Sequence, residues 1–152
     1  AKKIRNLKTL IFNNFLKKNK LKPRTGVIDI IKYCKKNKIK IGFVTSTTKN
    51  NVDAVFISLN KYIKKRDFDY IGHDKIIKNF NNKTDIYLHC LKKLKLSNKN
   101  CLAIEDTEIS LKYAKKAKLK CIAFPGDFHR SGKYKDSFIK VRRLNSKIFA
   151  DL

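Results

Sequence analysis

Two adjacent carboxylates, Glu105 and Asp106, directly follow a short apolar run at residues 101–104. The run predicts a buried strand, and open α/β sheets bind their ligands beyond the carboxyl ends of the strands. Two neighbouring like charges repel each other, and apolar surroundings add a desolvation cost. Mg2+ relieves both costs, since it takes oxygen ligands and commonly accompanies phosphate substrates. The pair is therefore a candidate Mg2+ site, although acidic residues also serve as caps at helix starts.

Two further segments carry groups that could bind phosphate. Thr45 and Ser46 follow an apolar run and precede a predicted helix, where backbone N–H groups favour an anion, but hydroxyl residues are also ordinary helix caps. Lys83 directly precedes another helix, where a cation is unusual and could neutralise a phosphoryl group. In so lysine-rich a chain a single lysine is by default a surface residue, and the position of Lys83 rather than its type makes it a candidate. Asn50 and Asn51, at the turn into the helix after the hydroxyl residues, are candidate substrate contacts.

The net charge of +26 has two interpretations. Lysine and arginine neutralise phosphates, so the charge is compatible with nucleic-acid binding. The alternative is a solvated surface biased towards lysine. The lysines are scattered through nearly every predicted helix and loop, few of the basic residues are arginine, and no basic motif with interleaved aromatic residues occurs. This pattern favours the solvated surface over the nucleic-acid-binding module.

Composition also bounds the class of protein. With 152 residues and 42% apolar content, the chain is long enough for one globular domain with a sizeable core. It has no apolar run of about 18 residues and no signal-peptide pattern, which predicts a cytoplasmic protein without a membrane span. The four cysteines lack CxxC spacing, which predicts reduced thiols rather than a zinc site. Because the chain begins with Ala and contains no Met, we expect its natural N-terminus to lie upstream.

Hydrophobic periodicity predicts strands that alternate with helices. The alternation implies right-handed βαβ units and a mostly parallel sheet. In such a sheet the strand ends at residues 45, 72 and 105 open on one edge, so the three candidate segments should converge there. The connector at 22–26 contains Pro and Gly, and Thr25 is predicted to cap the second helix. The predicted helices are 3–19, 26–37, 50–62, 84–95 and 108–117, the predicted strands are 39–44, 68–72, 101–104 and 121–124, the segment from 73 to 82 is a polar loop, and weak helical character lies near 135–143.

The order of these segments resembles the haloacid dehalogenase (HAD) superfamily, in its second, third and fourth motifs. More narrowly, residues 22–27 are similar to the "xPRPGV" segment of the β-phosphoglucomutase and CbbY-type subgroup. Residues 83–87 are similar to its "KPxPDIY" segment, and residues 105–107 to its "EDS" motif. The resemblance covers about residues 4–126. It implies an α/β, HAD-like (Rossmannoid) three-layer parallel sheet that is incomplete, with a remnant cap helix at 1–22, a partial core at 23–126 and a basic tail at 127–152.

The resemblance also implies a chemistry, which is Mg2+-dependent phosphoryl transfer through an aspartyl-phosphate on small phosphorylated sugars or similar phosphate esters. By this resemblance Thr45 and Ser46 hold the phosphoryl oxygens. Lys83 is a catalytic residue that neutralises those oxygens and orients the nucleophile. Glu105 and Asp106 hold the metal. Three departures from the family pattern are Thr84 in place of Pro, and Ser110 and Lys118 each in place of Gly.

The family's first motif, DxDGT, is absent from this sequence. It supplies the nucleophilic Asp, but the 22 residues before Pro23 contain no Asp or Glu, and the first acidic residue is Asp29. We therefore expect a fragment of a phosphatase or phosphomutase that is inactive alone. Its sheet should have a central gap between the strands ending at Thr45 and Glu105, or those strands should close up. The alternatives are a degenerate HAD-like domain, a basic nucleic-acid-binding module, and a subunit completed by a partner chain that carries the first motif.

Overall fold

The structure is a computed structural model that describes residues 2–76 and 82–149. Helices and strands alternate as predicted, and most bounds agree within two residues. The helices are α1 (Lys2–Lys18), α2 (Val27–Lys36), α3 (Lys49–Leu59), α4 (Thr84–Leu94) and α5 (Glu108–Lys116), and the strands are β1 (Gly42–Phe43), β2 (Tyr70–Ile71), β3 (Leu102–Glu105), β4 (Lys120–Ala123) and β5 (Ile139–Lys140). Part of the predicted polar loop, residues 77–81, lies outside the described residues. None of the helices in the described ranges combines the length and the apolar character needed to cross a membrane.

The strands form two parallel sheets rather than one. β1 pairs with β2 in one sheet, and β4 pairs with β3 and β5 in the other. Side chains beside β1 and side chains of β3 nevertheless share two hydrophobic clusters, one holding Ile41 with Ile104 and the other Val44 with Ala103. The two strands therefore contribute to the same clusters but do not pair with each other. This confirms the expectation of a gap at the sheet centre, and it explains why β1 is much shorter than the predicted strand 39–44.

Helices cover both faces of the three-stranded sheet. Successive residues of a strand point to opposite faces. Cys121 and Ala123 of β4 accordingly pack in one cluster with Leu111 of α5, whereas Ile122 packs in another cluster with Ile30 of α2. These three β4 residues are at most 1% exposed. The layers are therefore helix, sheet and helix, as the sequence predicts.

Helix α1 packs against α3 and presents an apolar face to solvent. Leu16 is buried, and the Ser58 hydroxyl of α3 accepts a hydrogen bond from the Leu21 N–H at 2.9 Å while donating one to the Asn19 carbonyl at 2.7 Å. These bonds fix the chain where it leaves α1. The outward face consists of exposed apolar side chains, namely Ile4, Leu7, Leu10, Ile11, Phe12 and Phe15.

Residues 127–149 contribute to the core, although their sequence reads as a basic tail. Tyr134, Leu144 and Ile148 are buried, and the Val141 N–H donates to the Ala123 carbonyl at 2.8 Å. The prediction of weak helical character near 135–143 is wrong, because residues 139–140 form β5 in parallel register with β4. The spacing of charged and apolar residues at 137–141 does not distinguish a helix from a strand. Pairing with the free edge of β4 decides their conformation.

The entry into α2 is built differently from the prediction. Gly26, not Thr25, is the N-cap residue, and it adopts a left-handed conformation with φ 88° and makes no side-chain cap. A left-handed N-cap excludes the usual cap geometry, which requires extended backbone. The Leu144 N–H donates to the Thr25 carbonyl at 3.2 Å, so the 140s segment crosses directly over this turn. The Arg24 guanidinium donates to the Phe124 and Pro125 carbonyls at 2.6 Å each and fixes the turn to the end of β4.

Gly26→Ala is expected to destabilise the fold by at least about 2 kcal/mol, as measured by urea unfolding. An added Cβ would overlap the Leu144 backbone, and the left-handed φ disfavours a side chain. Gly126→Ala is the matched control, because nothing lies within 4 Å of a Cβ there, and its change should stay within about 0.5 kcal/mol. Equal effects of the two substitutions would contradict the close approach at Gly26.

Candidate functional site

One cavity of about 270 Å3 opens at the carboxyl ends of β1 and β3. It brings together five residues that the sequence singled out, although they lie as far apart as 61 positions along the chain. The cavity lies over the gap between the two sheets, because its walls come from both sides of that gap. Its lining residues are Val44, Thr45, Ser46, Lys83, Ile86, Tyr87, Glu105, Asp106, Thr107, Ile109, Ser110 and Tyr113.

The acidic wall is positioned by β3 and by the cap of α5. Glu105 is the last residue of β3, and its carbonyl accepts the Phe124 N–H at 2.7 Å, which fixes the strand end. Thr107 caps α5, since its hydroxyl accepts the Ser110 N–H at 3.2 Å. Asp106 therefore lies between a fixed strand end and a fixed helix start, and its side chain is exposed at the cavity. This arrangement gives the two carboxylates different surroundings.

Glu105 is the more buried carboxylate, and Tyr87 supports it. The Tyr87 hydroxyl donates to the Glu105 Oε1 at 2.8 Å and lies 3.3 Å from the Ser110 carbonyl. Burial raises the pKa of Glu105 above its ordinary value of 4.5, while the Tyr87 and Ser110 hydrogen bonds oppose that rise. Burial, and then the nearby Glu105 charge, also raise the pKa of Tyr87. The phenol therefore remains a hydrogen-bond donor at neutral pH.

Lys83 lies at the start of α4, where the helix has no side-chain cap of its own. The local turn is held instead by Asn82, whose Oδ1 accepts the Thr84 N–H at 2.8 Å. The Lys83 ammonium is exposed and lies 5.8 Å from the centre of the Tyr113 ring, within range of a cation–π contact. The start of α4 thus places a cation at the cavity, an arrangement suited to an anion.

The hydroxyl loop, residues 45–48, has different residues for capping the next helix and for lining the cavity. Thr48 caps α3, because its hydroxyl accepts the Asn51 N–H at 3.3 Å. Thr45 and Ser46 line the cavity and are not needed for that cap. Asn51 instead donates from Nδ2 to the Thr47 hydroxyl at 2.7 Å. Asn50 is exposed, and neither asparagine lines the cavity.

Sequence reasoning missed two supporting tyrosines. Tyr87 is four residues after Lys83, so helical spacing alone places both on one face of α4. Tyr134 carries no such signal, yet its hydroxyl donates to the Asp106 carbonyl at 2.8 Å. Its N–H donates to the Glu108 Oε1 at 3.0 Å. The segment near residue 134 therefore supports the acidic loop, residues 105–108. No local sequence pattern predicts this contact, because the two segments are far apart in the chain.

The donor set at the cavity suits a hard divalent cation. Glu105 and Asp106 offer carboxylate oxygens, and Thr107 and Ser110 add hydroxyl oxygens to the lining. Mg2+ is commonly bound through one or two carboxylates, with water and substrate phosphate completing its shell. Within the described ranges no three His, Cys, Asp or Glu side chains form a metal-holding group. The residues therefore fit a Mg2+ ion that shares its shell with phosphate, rather than a site built from protein ligands alone.

Residues 1–124 match the model of the haloacid dehalogenase-like hydrolase family. The protein CbbY of Cereibacter sphaeroides is 28% identical over 127 residues, which are 84% of this chain and 55% of that protein. A haloacid dehalogenase-like hydrolase domain-containing protein of Arabidopsis thaliana is 28% identical over 115 residues, 76% of this chain and 36% of that protein. The chain spans about half the length, or less, of these curated relatives.

Solved structures show the same fold. CbbY from Rhodobacter sphaeroides, in complex with xylulose-1,5-bisphosphate, superposes with a TM-score of 0.81 at 26% identity, covering 91% of this chain and 62% of that one. A β-phosphoglucomutase from Clostridium difficile superposes with a TM-score of 0.73 at 20% identity, covering 91% and 60%. The latter likeness concerns the fold alone.

Tyr87→Phe is expected to lower the free energy of unfolding by about 1–3 kcal/mol at pH 7 in metal-free buffer, because the Glu105 carboxylate loses its donor. The pKa of Glu105 then rises further, so the unfolded state releases the proton first. The variant therefore loses stability relative to the wild type as the pH rises from about 4.5, the ordinary pKa of Glu, through the pKa of Glu105 in the folded state. The destabilisation is smaller at pH 4. Urea unfolding at both pH values measures this.

Tyr113→Phe is the control for this prediction, since that ring lines the same cavity without contacting Glu105 through a hydrogen bond. Its effect should not depend on pH. If Tyr87→Phe cost the same free energy at pH 4 and pH 7, the hydroxyl would act through packing and not through the carboxylate.

Proposed function

The chain belongs to the haloacid dehalogenase-like hydrolase family, in its CbbY and β-phosphoglucomutase-like group, and on this premise we propose that it forms the phosphate- and metal-binding part of a Mg2+-dependent phosphatase or phosphomutase. The observation that carries the proposal is the single cavity shared by the hydroxyl loop, Lys83 and the two carboxylates. Each of the three segments alone has a structural explanation. The parallel topology brings their strand ends to one edge, but it does not require that edge to carry two carboxylates, a lysine and two hydroxyl groups around one cavity.

Thr45, Ser46 and Lys83 are proposed to hold the phosphoryl group. The hydroxyls donate hydrogen bonds to phosphoryl oxygens, and the ammonium neutralises the negative charge that they carry. Lys83 is suited to this role because it is not committed to an ion pair among the described salt bridges. Its exposure also leaves room to approach a ligand in the cavity. Lys83 is therefore the proposed catalytic residue of this chain.

Glu105 and Asp106 are proposed to hold Mg2+ against the same phosphoryl group. When bound, Mg2+ clamps phosphoryl oxygens and offsets their charge. The contribution of this chain is to keep the Glu105 carboxylate oriented, through Tyr87 and the fixed end of β3. Tyr134 does the same for the Asp106 backbone. The Glu105 carboxylate and the Asp106 backbone are thus held in place before any ligand binds.

A small phosphorylated sugar is the proposed substrate. Support comes from the CbbY of Rhodobacter sphaeroides, whose solved structures contain xylulose-1,5-bisphosphate in one case and phosphate in another. The strongly positive net charge of this chain would draw such an anion towards it. Asn50, exposed at the start of α3 beside the cavity loop, is a proposed contact to the sugar. Asn51 is proposed to act indirectly, because its amide holds Thr47 in the same loop.

The nucleophile is proposed to come from outside the described residues. Glu105 and Asp106 are the only carboxylates among the residues that line the cavity, and both are assigned to the metal. β1 and β3 each have one unpaired edge, and the cavity opens at the carboxyl ends of both strands, so one further strand could pair between them. A carboxylate at the end of such a strand would point at the bound phosphate. This supports a chain that binds phosphate but does not turn it over alone.

The 152-residue chain is expected to hydrolyse sugar phosphates in Mg2+ no faster than its Lys83→Ala variant does. Without a nucleophilic carboxylate at the cavity, no covalent intermediate forms. Release of inorganic phosphate from a panel of sugar mono- and bisphosphates measures this. Mg2+-dependent turnover that Lys83→Ala abolishes would show that the chain supplies its own nucleophile, and would contradict this part of the proposal.

Phosphate binding is tested separately from turnover. With Mg2+ and inorganic phosphate, the chain is expected to show a concentration-dependent rise in Tm. Lys83→Ala should weaken the apparent phosphate affinity by about tenfold, because one charge-assisted hydrogen bond at an exposed position is lost. Lys112→Ala is the control, since this exposed lysine of α5 does not line the cavity. Equal shifts in wild type and both variants would contradict the phosphate site.

A further inference from the structure

Three short segments hold a disproportionate share of the lysines. Residues 35–40, 92–99 and 115–120 each contain four lysines and no acidic residue. Twelve of these twenty positions are therefore lysine, compared with twenty of the other 132. Each segment ends a helix and leads towards a strand, from α2 to β1, from α4 to β3 and from α5 to β4. The lysines look scattered in the linear sequence, although they recur at three helix ends.

The fold brings the three segments together along one edge of the sheets. The Lys40 ammonium donates to the Leu94 carbonyl at 3.0 Å, which joins the first segment to the second. The Asn98 Nδ2 donates to the Ala117 carbonyl at 3.5 Å, which joins the second segment to the third. All three precede strands, so they lie at the amino ends of β1, β3 and β4. This lysine edge, residues 35–40, 92–99 and 115–120, is opposite to the cavity.

The positive charge of the lysine edge is exposed and little compensated. Eleven of its twelve lysines are exposed, and Lys120 is half-buried. One ion pair reaches it within the described residues, from Asp67 to Lys35 at 2.7 Å. The three helix carboxyl ends contribute roughly half a negative charge each. These terms leave most of the twelve positive charges without a counter-charge from the protein.

Backbone conformation gives a second, independent observation. Lys38, Lys95 and Lys118 all have left-handed backbones, with φ of 55°, 55° and 60°. Each is followed by an apolar residue whose N–H bonds to a carbonyl five residues earlier, which is the Schellman ending of a helix. Glycine is the usual residue there, because a side chain is disfavoured in this conformation. The chain therefore carries lysine at all three places where glycine would be more stable.

We propose that the lysine edge is a binding surface for the phosphate backbone of a nucleic acid. Its parts are a row of exposed ammonium groups, with amides from Asn37 and Asn98 between them, carried on three helix ends. Such a surface neutralises phosphates without reading sequence, and its affinity falls steeply with salt. A membrane is disfavoured, because Ile39 is the one exposed large apolar side chain that the described residues place on this edge. This surface is independent of the proposed phosphatase site.

The experiment is fluorescence anisotropy of a labelled 20-nucleotide oligouridylate and of a 20-base-pair DNA duplex, from 50 to 200 mM KCl. The test variant is Lys38→Asn/Lys95→Asn/Lys118→Asn. Asparagine tolerates the left-handed conformation better than lysine does, so Tm should hold or rise. The slope of log K against log salt should fall in magnitude by about 2 for the single strand, and the apparent Kd should rise at least about tenfold.

The control variant Lys20→Asn/Lys22→Asn/Lys133→Asn removes the same charge from exposed positions outside the lysine edge. Its Kd should stay within about twofold of the wild-type value. Equal weakening by both variants would assign binding to diffuse charge and overturn the proposal. Absence of wild-type binding at 150 mM KCl would overturn it too, as would tighter binding to vesicles containing phosphatidylserine. Phosphate binding at the cavity is measured separately, through the rise in Tm. A negative result at one site is therefore not mistaken for a negative result at the other.

Discussion

A carboxylate that is half-buried at the end of a strand must find a hydrogen-bond donor, and much of this structure is arranged around that requirement. Glu105 finds its donor in Tyr87, one turn into α4. This contact fixes α4 against the end of β3, and thereby places Lys83 at the rim of the same cavity. The cap at Thr107 and the brace from Tyr134 hold the other side of the acidic loop. The site is therefore positioned by polar contacts, and the hydrophobic layers below hold those contacts in place.

The gap between β1 and β3 explains both the shortness of the strands and the shape of the cavity. Parallel strands are usually buried on both sides within a continuous sheet. Here the hydrophobic clusters on both faces bridge β1 and β3, while their backbones stay unpaired. Side-chain packing thus joins the two sheets into common clusters without backbone hydrogen bonds between β1 and β3. The cavity opens above this gap, so the phosphate-binding groups and the unpaired edges face a common space.

The two edges of the sheets carry opposite kinds of chemistry. At the carboxyl ends, carboxylates and hydroxyls surround a cavity, and helices begin. At the amino ends, helices finish, and their carbonyl groups favour cations. The chain places lysine at these helix ends in a far greater number than the helix dipoles require, including three in left-handed backbones. Every parallel α/β fold has helix starts at one edge and helix ends at the other. In this chain the lysines concentrate positive charge at the edge where the helices end.

Sequence by itself determined a large part of this description. Local periodicity predicted five helices and four strands, since apolar spacing directly reflects burial. The ordered motifs identified the family and five cavity residues, because strand-to-helix junctions must lie at one edge of a parallel sheet. Local signals could not predict β5, because its conformation depends on pairing with β4. They misassigned the α2 cap at Thr25, because the crossing of the 140s segment over Gly26 decides that turn.

Only the tertiary structure decided which of the separated residues meet. Tyr87 supports the Glu105 carboxylate across 18 positions of sequence, and Tyr134 supports the Asp106 backbone across 28. The lysines read as scattered because three helix ends spread over 86 positions join only when the strands align. Periodicity records the distance of each residue from the core, and it carries no information on which surface residues become neighbours. The residue types of this chain thus fixed its chemistry, while the packing of its layers decided where that chemistry is concentrated.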